Sequence, residues 1–337
     1  MPVTRDDVAR RAGVSAATVS YVINDGPRPV SPETRAKVLR AIEELGYRPS
    51  AVARSLRLQR TSTIGLLVPD TSNSYFAELA QGIEQVAFSN GYTVILCHTC
   101  YDPQKELEYV DVLYSKRVDG VIFIPATSSL DPIQQLMDRK VPVVVVDRLV
   151  SGTRTRSVVV DNFRGGYEAT AHLINLGHKR IGCIIRPIYL AHSMDRVRGY
   201  KAALRDHGLP VDESCIVKGG FRYADGDRAM QALLALDPPP TAVFAYNDIM
   251  AIGAMRAIHT AGLRVPQDVS VVGFDDIDEA SYTNPPLTTV AQPKLEMGRK
   301  GAELLIEMMQ NADSPSDATL TLDVHLVVRQ STGPVPH

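Results

Sequence analysis

Charged and amide side chains follow several short apolar runs from residue 61 onward. Asp147 and Arg148 come directly after four valines, Asn247 follows "TAVFAY" and Asp275 follows "VSVVGF". A carboxylate accepts hydrogen bonds from neighbouring hydroxyls, whereas arginine and the asparagine amide donate them. Gathered at the carboxyl ends of parallel strands, such groups would line a ligand-binding site. Similar positions are held by Asp70, Asp248 and Asp276. An aspartate at such a position is also a common N-cap of the next helix, so a purely structural role is the alternative.

Other residue patterns that could support chemistry are incomplete. Cys97 and Cys100 have the spacing of a metal-binding or redox pair, but no second pair lies nearby and the cysteines follow a strand. Gly165 and Gly166 open a helix without the GxGxxG spacing or the lysine of a phosphate-binding loop. No Ser/His/Asp or Cys/His nucleophile pattern is visible. The sequence therefore predicts a ligand-binding protein that is not an enzyme and that needs no cofactor and no metal.

Short apolar runs alternate with amphipathic helices from Thr63 onward, and the polar residues described above stand at the ends of those runs. The strand candidates are "TIGLLVPD", "YTVILCHT", "DGVIFIP", "VPVVVVD", "SVVVD", "RIGCIIR", "TAVFAYND" and "VSVVGFDD". Runs of β-branched residues without polar alternation are typical of strands covered on both faces. The pattern predicts an α/β body of mostly parallel sheets. It divides near residue 160 and returns near residue 290, which predicts two subdomains with a ligand-binding cleft at the carboxyl ends of their strands.

The first residues have a different pattern, with two short helices on either side of a glycine. Thr4 and Asp7 have the spacing of a capping box, and Gly13 can take the positive φ that ends the first helix. Ser15 is a second N-cap candidate. The spacing then predicts one buried and one outward face for the second helix. The buried residues are Val19, Val22 and Ile23, and the outward residues are Ala16, Ala17, Ser20 and Tyr21.

A third helix is predicted to begin at Ser31 and Pro32, an N-cap followed by proline at the first helical position. Its apolar residues are Val38, Leu39, Ile42 and Leu45. Residues 1–60 carry 11 Arg and Lys against 6 Asp and Glu, a net charge of +5, whereas the rest of the chain has a net charge of −7. Three helices with a basic surplus indicate a helix-turn-helix domain that presents its second helix to the DNA major groove. An ordinary helical hairpin with a solvated basic surface is the alternative.

The quoted segments, "VTRDDVARRAGVSAATVSYVIN" and "VSPETRAKVLRAIEELGYRPSAVARSLR", and the alternating body through "RQST" resemble the lactose repressor (LacI) family of bacterial transcription regulators. The resemblance covers nearly the whole chain. It implies a helix-turn-helix DNA-binding domain at 1–48, a hinge helix at 49–60 and an effector-binding and dimerisation domain at 61–337. The body is similar to a periplasmic sugar-binding protein. Its first subdomain is expected at about 61–160 plus 290–320, and its second at about 161–289 plus the C-terminal strand.

The resemblance also implies which residues contact DNA. The base-reading positions are Ala16, Ala17 and Tyr21, and phosphate or supporting contacts are implied for Thr4, Ser15, Thr18, Ser20 and Asn24. In the hinge, Leu56 matches a leucine that is wedged into a minor-groove base step, with Ala53 and Arg57 beside it. Because the stretch that could form this helix, Ser50 to Leu58, is shorter than the ~12 residues of a stable isolated helix, a flexible linker is the alternative. Tyr21 replaces an arginine common in the family, so the operator sequence is not predicted.

Effector-binding positions follow from the same resemblance. Hydroxyl-binding residues are implied at Arg196, Asn247 and Asp275, an apolar lining at Tyr75, Phe76 and Phe221, and further contacts at Arg148 and Asn162. Purine-binding members carry arginine and threonine where this chain has Leu190 and His192, which argues against a purine corepressor. His192 is a further candidate for a sugar hydroxyl.

The predicted function is a homodimeric transcriptional repressor that binds a pseudo-palindromic DNA operator and releases it when a mono- or oligosaccharide binds. A cytoplasmic location is expected, because no run approaches the ~18 apolar residues of a membrane span and no signal peptide is visible. The alternatives are a corepressor-dependent regulator, a global catabolite regulator that binds a phosphorylated carrier protein, a solute-binding protein and a sugar-processing enzyme. Glu303 stands where the catabolite regulators place an arginine, and a carboxylate would repel phosphoserine.

Overall fold

The computed structural model describes residues 3–24, 28–48, 60–127, 129–150, 152, 155–186, 193–311 and 318–336. The chain divides into two compact units, Met1–Thr61 and Ser62–His337. Within the described ranges, no helix is both long and apolar enough to cross a membrane.

The first unit contains three helices, α1 (Arg5–Ala12), α2 (Ala16–Asn24) and α3 (Pro32–Leu45). The predicted caps form: Thr4 and Asp7 make a capping box, Gly13 has a φ of 68° at the end of α1, and the Ser15 Oγ accepts from the Thr18 amide at 3.1 Å. A small core joins the three helices, and its buried residues are Val8, Ala9, Val19, Val22, Val38 and Ala41. Each helix therefore depends on the other two for its burial.

Two expectations for this core were wrong. Leu39 is 50% exposed, because Val38, Ala41, Ile42 and Leu45 follow the i, i+3, i+4, i+7 spacing of one helix face and Leu39 lies about 100° away from it. Ala16 was expected to point outward, but it is half-buried and packs against the core of its own unit.

The second unit contains two six-stranded sheets. The strands of the first sheet are β1 (Thr63–Val68), β2 (Thr93–His98), β3 (Gly120–Phe123), β4 (Val143–Val146), β5 (Arg156–Val160) and β11 (Thr319–Leu322). Those of the second are β6 (Ile181–Ile185), β7 (Ile216–Lys218), β8 (Ala242–Ala245), β9 (Ser270–Asp275), β10 (Thr288–Ala291) and β12 (His325–Val327). Among these described strands the pairing is parallel, apart from the antiparallel pair β10 and β12, which confirms the predicted mostly parallel α/β architecture.

The strand order is β11-β5-β4-β3-β1-β2 in the first sheet and β12-β10-β9-β8-β6-β7 in the second. All eight predicted strands are present. Four strands, β7, β10, β11 and β12, are not among these candidates. The apolar pattern does not mark β7, β11 and β12 because they are short and largely exposed or half-buried, and β10 is buried but has only four residues, two of them threonine. Since β11 pairs with β5 and β12 with β10, the end of the chain completes both sheets.

Helices cover both faces of the sheets. They are α4 (Ser74–Ser89), α5 (Pro103–Ser115), α6 (Asp131–Asp138), α7 (Asn162–Asn175), α8 (Ser193–Asp206), α9 (Tyr223–Leu234), α10 (Asp248–Thr260), α11 (Asp278–Tyr282) and α12 (Lys294–Gln310). Glycines allow close crossings between pairs of helices. A methyl group on Gly298 of α12 would collide with the carbonyl oxygen of Leu79 in α4, and one on Gly166 of α7 would collide with the carbonyl oxygen of Arg196 in α8.

Candidate functional site

The carboxyl ends of strands from both sheets face one cleft. Its deep part, the inner pocket, has a volume of about 20 Å³ and is lined by Asn73, Tyr75, Phe76, Tyr101, Asp147, Arg148, Arg186, Arg196, Phe221, Tyr246, Asn247 and Asp275. Its wide part, the outer pocket, has a volume of about 400 Å³ and is lined by Pro69, Asp70, Ser72, His98, Cys100, Tyr101, Phe221, Arg222, Tyr223 and Ile249. Tyr101 and Phe221 line both pockets and therefore form the wall between them.

Arg196 occupies the centre of the polar network in the inner pocket. Its Nε donates to Asn162 Oδ1 at 2.7 Å, its Nη1 donates to the Tyr246 carbonyl oxygen at 2.6 Å, and Nη1 lies 3.6 Å from Asp275 Oδ1. The guanidinium carbon lies 3.5 Å from the centre of the Phe274 ring. Close packing at Gly166 sets the position of the α8 backbone at Arg196. The glycine pair that resembled an incomplete phosphate loop thus positions a pocket residue.

Two aspartates at strand ends supply acceptors to the pocket. Asp147 Oδ1 accepts from the Tyr75 hydroxyl at 2.6 Å and Asp147 Oδ2 lies 2.9 Å from Arg148 Nε. Asp275 Oδ1 accepts from Gln292 Nε2 at 2.7 Å. Asp147 has a φ of 74° and Asp275 a φ of 119°, and such left-handed backbone at a non-glycine residue costs of order 1–3 kcal/mol and is common at functional sites. The fold therefore holds both carboxylates at an energetic cost.

Burial controls the protonation of the second aspartate. Desolvation raises the pKa of the Asp275 carboxyl to about 6, although Arg196 lowers it, and the negative charge of Asp147 adds to the rise. Burial and the neighbouring Asp275 also raise the pKa of Asp248 well above its ordinary value. Asp248 does not line the pocket and accepts from the Ile277 amide and the Thr289 hydroxyl. Its role is therefore structural, although the N-cap of α10 is Asn247 and not Asp248.

The predicted effector residues occupy different places around the cleft. Those that line the inner pocket are Tyr75, Phe76, Arg148, Arg196, Phe221, Asn247 and Asp275. Asn162 lies behind Arg196, where its Nδ2 also donates to the Val160 carbonyl oxygen at 3.3 Å. Asn247 also caps α10, since its Oδ1 accepts from the Met250 amide at 3.0 Å. His192 lies outside the described residues.

Sequence reasoning missed four residues that line the inner pocket, Asn73, Tyr101, Arg186 and Tyr246. The rings of Tyr101 and Phe221 stack with centroids 4.1 Å apart and an interplanar angle of 18°. The guanidinium carbon of Arg186 lies 4.2 Å from the centre of the Phe221 ring and 5.3 Å from that of Tyr246. The arginine that ends "RIGCIIR" was a usable signal, because it follows a buried strand in the same way as Asn247 and Asp275.

The predicted DNA-contact residues lie in and around α2. Thr4 and Ser15 act as N-caps, and Thr18 donates its amide to Ser15. Ala17 is exposed, Tyr21 and Ser20 are half-buried, and Asn24 ends α2. The hinge residues Ala53, Leu56 and Arg57 lie outside the described residues.

Comparison with known proteins gives matches over both units. Residues 4–50 match the family model described as "Bacterial regulatory proteins, lacI family", and residues 61–328 match "Periplasmic binding proteins and sugar binding domain of LacI family". The chain is 39% identical to the transcriptional repressor PurR of Vibrio atlanticus (strain LGP32) over 92% of this chain and 93% of that protein.

Two solved structures are also similar. The regulator CelR in complex with cellobiose is 35% identical, with a TM-score of 0.76 over 98% of this chain and 99% of that one. The Lac repressor dimer bound to operator and an anti-inducer is 30% identical, with a TM-score of 0.86 over 99% of this chain and 100% of that one.

Proposed function

Because the chain belongs to the LacI family of bacterial transcriptional regulators, we propose that it is a dimeric repressor whose release from a palindromic operator is controlled by a sugar-like ligand in the cleft. Membership makes the chain a DNA-binding regulator with an effector-binding domain and not an enzyme. We propose the chemical class of the ligand, the direction of its effect on DNA binding and the residues that bind it.

The observation that carries the proposal is the convergence of polyol-binding groups in the inner pocket. Arg196 presents a guanidinium, Asp275 a carboxylate and Asn247 an amide nitrogen, while the rings of Phe76 and Phe221 offer apolar surface. Sugar hydroxyls need both donors and acceptors, and the carbon face of a sugar ring needs an apolar partner. The cellobiose bound by the similar CelR supports the same ligand class.

Ligand entry requires a change at the wall between the two pockets. The inner pocket, at about 20 Å³, is far smaller than the roughly 300 Å³ of a small ligand site. The outer pocket provides about 400 Å³, but the stacked rings of Tyr101 and Phe221 separate it from the polar residues. We expect the ligand to displace this stack and to take over its contacts.

This displacement offers a route for allosteric control. Tyr101 follows β2 of the first sheet and Phe221 follows β7 of the second, so the ring pair joins the two subdomains. A ligand that replaces the ring contact changes how the subdomains are held together. By the family resemblance, that movement separates the paired hinge segments and weakens DNA binding. Typical coupling free energies of about 1–3 kcal/mol correspond to a change of roughly 5- to 150-fold in operator affinity.

Exposed apolar side chains support the dimer. Leu96 lies on β2, an edge strand of the first sheet, and is 51% exposed. Phe88, at the end of the preceding helix, and Val112 and Tyr114, in the following helix, are also exposed. Large apolar side chains at a sheet edge are a common feature of subunit interfaces. Two helix-turn-helix units bound to one operator would supply the affinity that a single small unit lacks.

The proposal is tested by measuring operator binding in the presence of candidate ligands. A pseudo-palindromic operator is first selected from random DNA by the purified chain, and its Kd is then measured by fluorescence anisotropy. The ligand panel contains monosaccharides, disaccharides and the purine bases hypoxanthine and guanine. We expect at least one sugar to weaken operator binding by roughly 5- to 150-fold.

Two arginine variants on α8 show whether the response comes from the pocket. Arg196→Gln should abolish the response and retain operator binding without ligand. Arg198→Gln is the matched control, because that side chain is exposed and pairs with Asp195 at 2.7 Å. If only a purine changes the Kd, the sugar assignment is wrong although the DNA-binding role stands.

A further inference from the structure

We infer that the ligand of the inner pocket carries a negatively charged group, a carboxylate or a phosphate on a polyol, and that Arg186 binds this group. The inference rests on the proposed function, because it narrows the ligand class of the same pocket from sugars in general to anionic sugars.

Two of the three guanidinium nitrogens of Arg186 are buried without a hydrogen-bond acceptor among the described residues. The residue is only 4% exposed, and no atom of the described residues accepts a hydrogen bond from its Nε or Nη2. Buried guanidinium groups are normally paired with acceptors, since arginine has five N–H donors and no acceptor of its own. The unsatisfied donors of Arg186, at the wall of a ligand pocket, indicate that the partner is a bound molecule.

The charges in the pocket leave Arg186 without a carboxylate. Arg148 Nε lies 2.9 Å from Asp147 Oδ2, and Arg196 Nη1 lies 3.6 Å from Asp275 Oδ1. Within the described part of the chain, Arg186 forms no ion pair of this kind. Burial lowers the pKa of Arg186, and the nearby positive charge of Arg148 lowers it further. The pocket therefore holds three guanidinium groups against two carboxylates, and one added negative charge would balance it.

The aromatic rings around Arg186 do not replace this missing partner. Its guanidinium carbon lies 4.2 Å from the centre of the Phe221 ring, 5.3 Å from that of Tyr246 and 5.4 Å from that of Tyr101. A ring face attracts the cation's charge, but the N–H groups of a guanidinium lie at its edge and need oxygen acceptors. The ring contacts therefore leave the Nε and Nη2 donors of Arg186 in need of an oxygen acceptor.

The neighbouring groups indicate what carries the anion. A carboxylate and a phosphate can each accept two parallel hydrogen bonds from one arginine guanidinium. Asp275 and Asn247, on the same pocket wall, suit hydroxyl groups instead. A molecule with one acidic end and several hydroxyls, such as a uronic acid, an aldonic acid or a sugar phosphate, satisfies both sets of residues.

Paired acidic and neutral sugars test the inference. The affinities of the full chain for D-galacturonate, D-glucuronate, D-gluconate, D-glucose 6-phosphate, D-galactose and D-glucose are measured by titration calorimetry, with operator release measured in parallel. We expect at least one acidic sugar to bind about 10- to 100-fold more tightly than its neutral counterpart, as for a charge-assisted hydrogen bond. Preference for the uronates and gluconate would identify a carboxylate ligand, and preference for the phosphate ester a phosphate ligand.

Two variants assign the preference to Arg186. Arg186→Gln should remove the preference for the acid, so that the variant binds an acidic sugar and its neutral counterpart with affinities within about threefold of each other. Arg256→Gln is the matched control, since it removes a positive charge from an exposed side chain of the second subdomain, and it should keep the preference. Circular dichroism checks the fold of both variants.

Three results would overturn the inference. Equal binding of acidic and neutral sugars by the unmodified chain would do so even if Arg186→Gln failed to fold, and the proposed sugar-controlled repressor would still stand. An acid preference that survives in Arg186→Gln would place the anion elsewhere. No response to any member of the panel would overturn the sugar assignment of the proposed function as well.

Discussion

Replacing Arg186 by methionine should stabilise the ligand-free protein. The change removes a buried cation whose Nε and Nη2 have no acceptor among the described residues, and each unsatisfied buried donor costs about 1–3 kcal/mol. The loss of contacts with the Phe221, Tyr246 and Tyr101 rings costs about 0.5–2 kcal/mol in return. Methionine fills a similar volume and suits an irregular apolar site. A net gain of about 1–3 kcal/mol in the free energy of unfolding is expected.

This gain should appear as a rise in Tm. For domains of this size 1 kcal/mol corresponds to about 2–4 °C, so the transition of the larger unit should rise by about 2–12 °C. Differential scanning calorimetry of the full chain, after refolding to remove any bound ligand, measures it. Arg256→Met is the control, because that side chain is exposed and its change should leave the Tm within about 1 °C.

An unchanged or lowered Tm for Arg186→Met would refute the reasoning. It would mean that the donors of Arg186 are satisfied in the ligand-free protein, and the argument for an anionic ligand would lose its main support. A raised Tm combined with a lost response to ligand would instead identify Arg186 as a residue kept for binding at the expense of stability.

Four further predictions concern the inner pocket, the helix packing, the helix-turn-helix unit and the dimer. Burial gives the Asp275 carboxyl a pKa of about 6. Sugar affinity measured by calorimetry should therefore fall about tenfold from pH 7.5 to pH 5 as the carboxylate is protonated. The Asp275→Asn variant should show no such fall. In the ligand-free protein the raised pKa favours the folded state most at low pH, and this contribution is lost as the pH rises through about 6. Gly298→Ala should lower the free energy of unfolding by about 1–3 kcal/mol, because its methyl group meets the α4 backbone; an unchanged denaturation midpoint would contradict the close crossing. Tyr21→Arg should shift the half-site selected from random DNA toward a guanine, and an unaltered selected sequence would remove that residue from the base-reading set. Leu96→Glu should produce monomers in light scattering and weaken operator binding, whereas Tyr282→Glu, at a side chain 88% exposed, should do neither.

The elements of the fold could be predicted well because each is encoded locally. Continuous apolar runs in a parallel sheet are buried on both faces, so all eight such runs form strands. The caps at Thr4, Ser15 and Ser31 mark helix starts because their side chains accept from amides only three residues away. The predictions failed for Leu39 and Ala16, where one helix face had to be assigned without knowing the partner that packs on it.

The residues of the candidate site were likewise predictable only in part. The sequence by itself determined the βαβ order, and therefore that Arg148, Asn247 and Asp275 would stand at the carboxyl ends of strands, and family resemblance added Arg196. Only the tertiary structure brought Tyr101 against Phe221, because those residues lie in separate subdomains 120 positions apart. The same holds for the unsatisfied donors of Arg186. Whether a buried arginine has a partner depends on acceptors supplied by the rest of the chain, and that is decided only when both sheets are folded around one cleft.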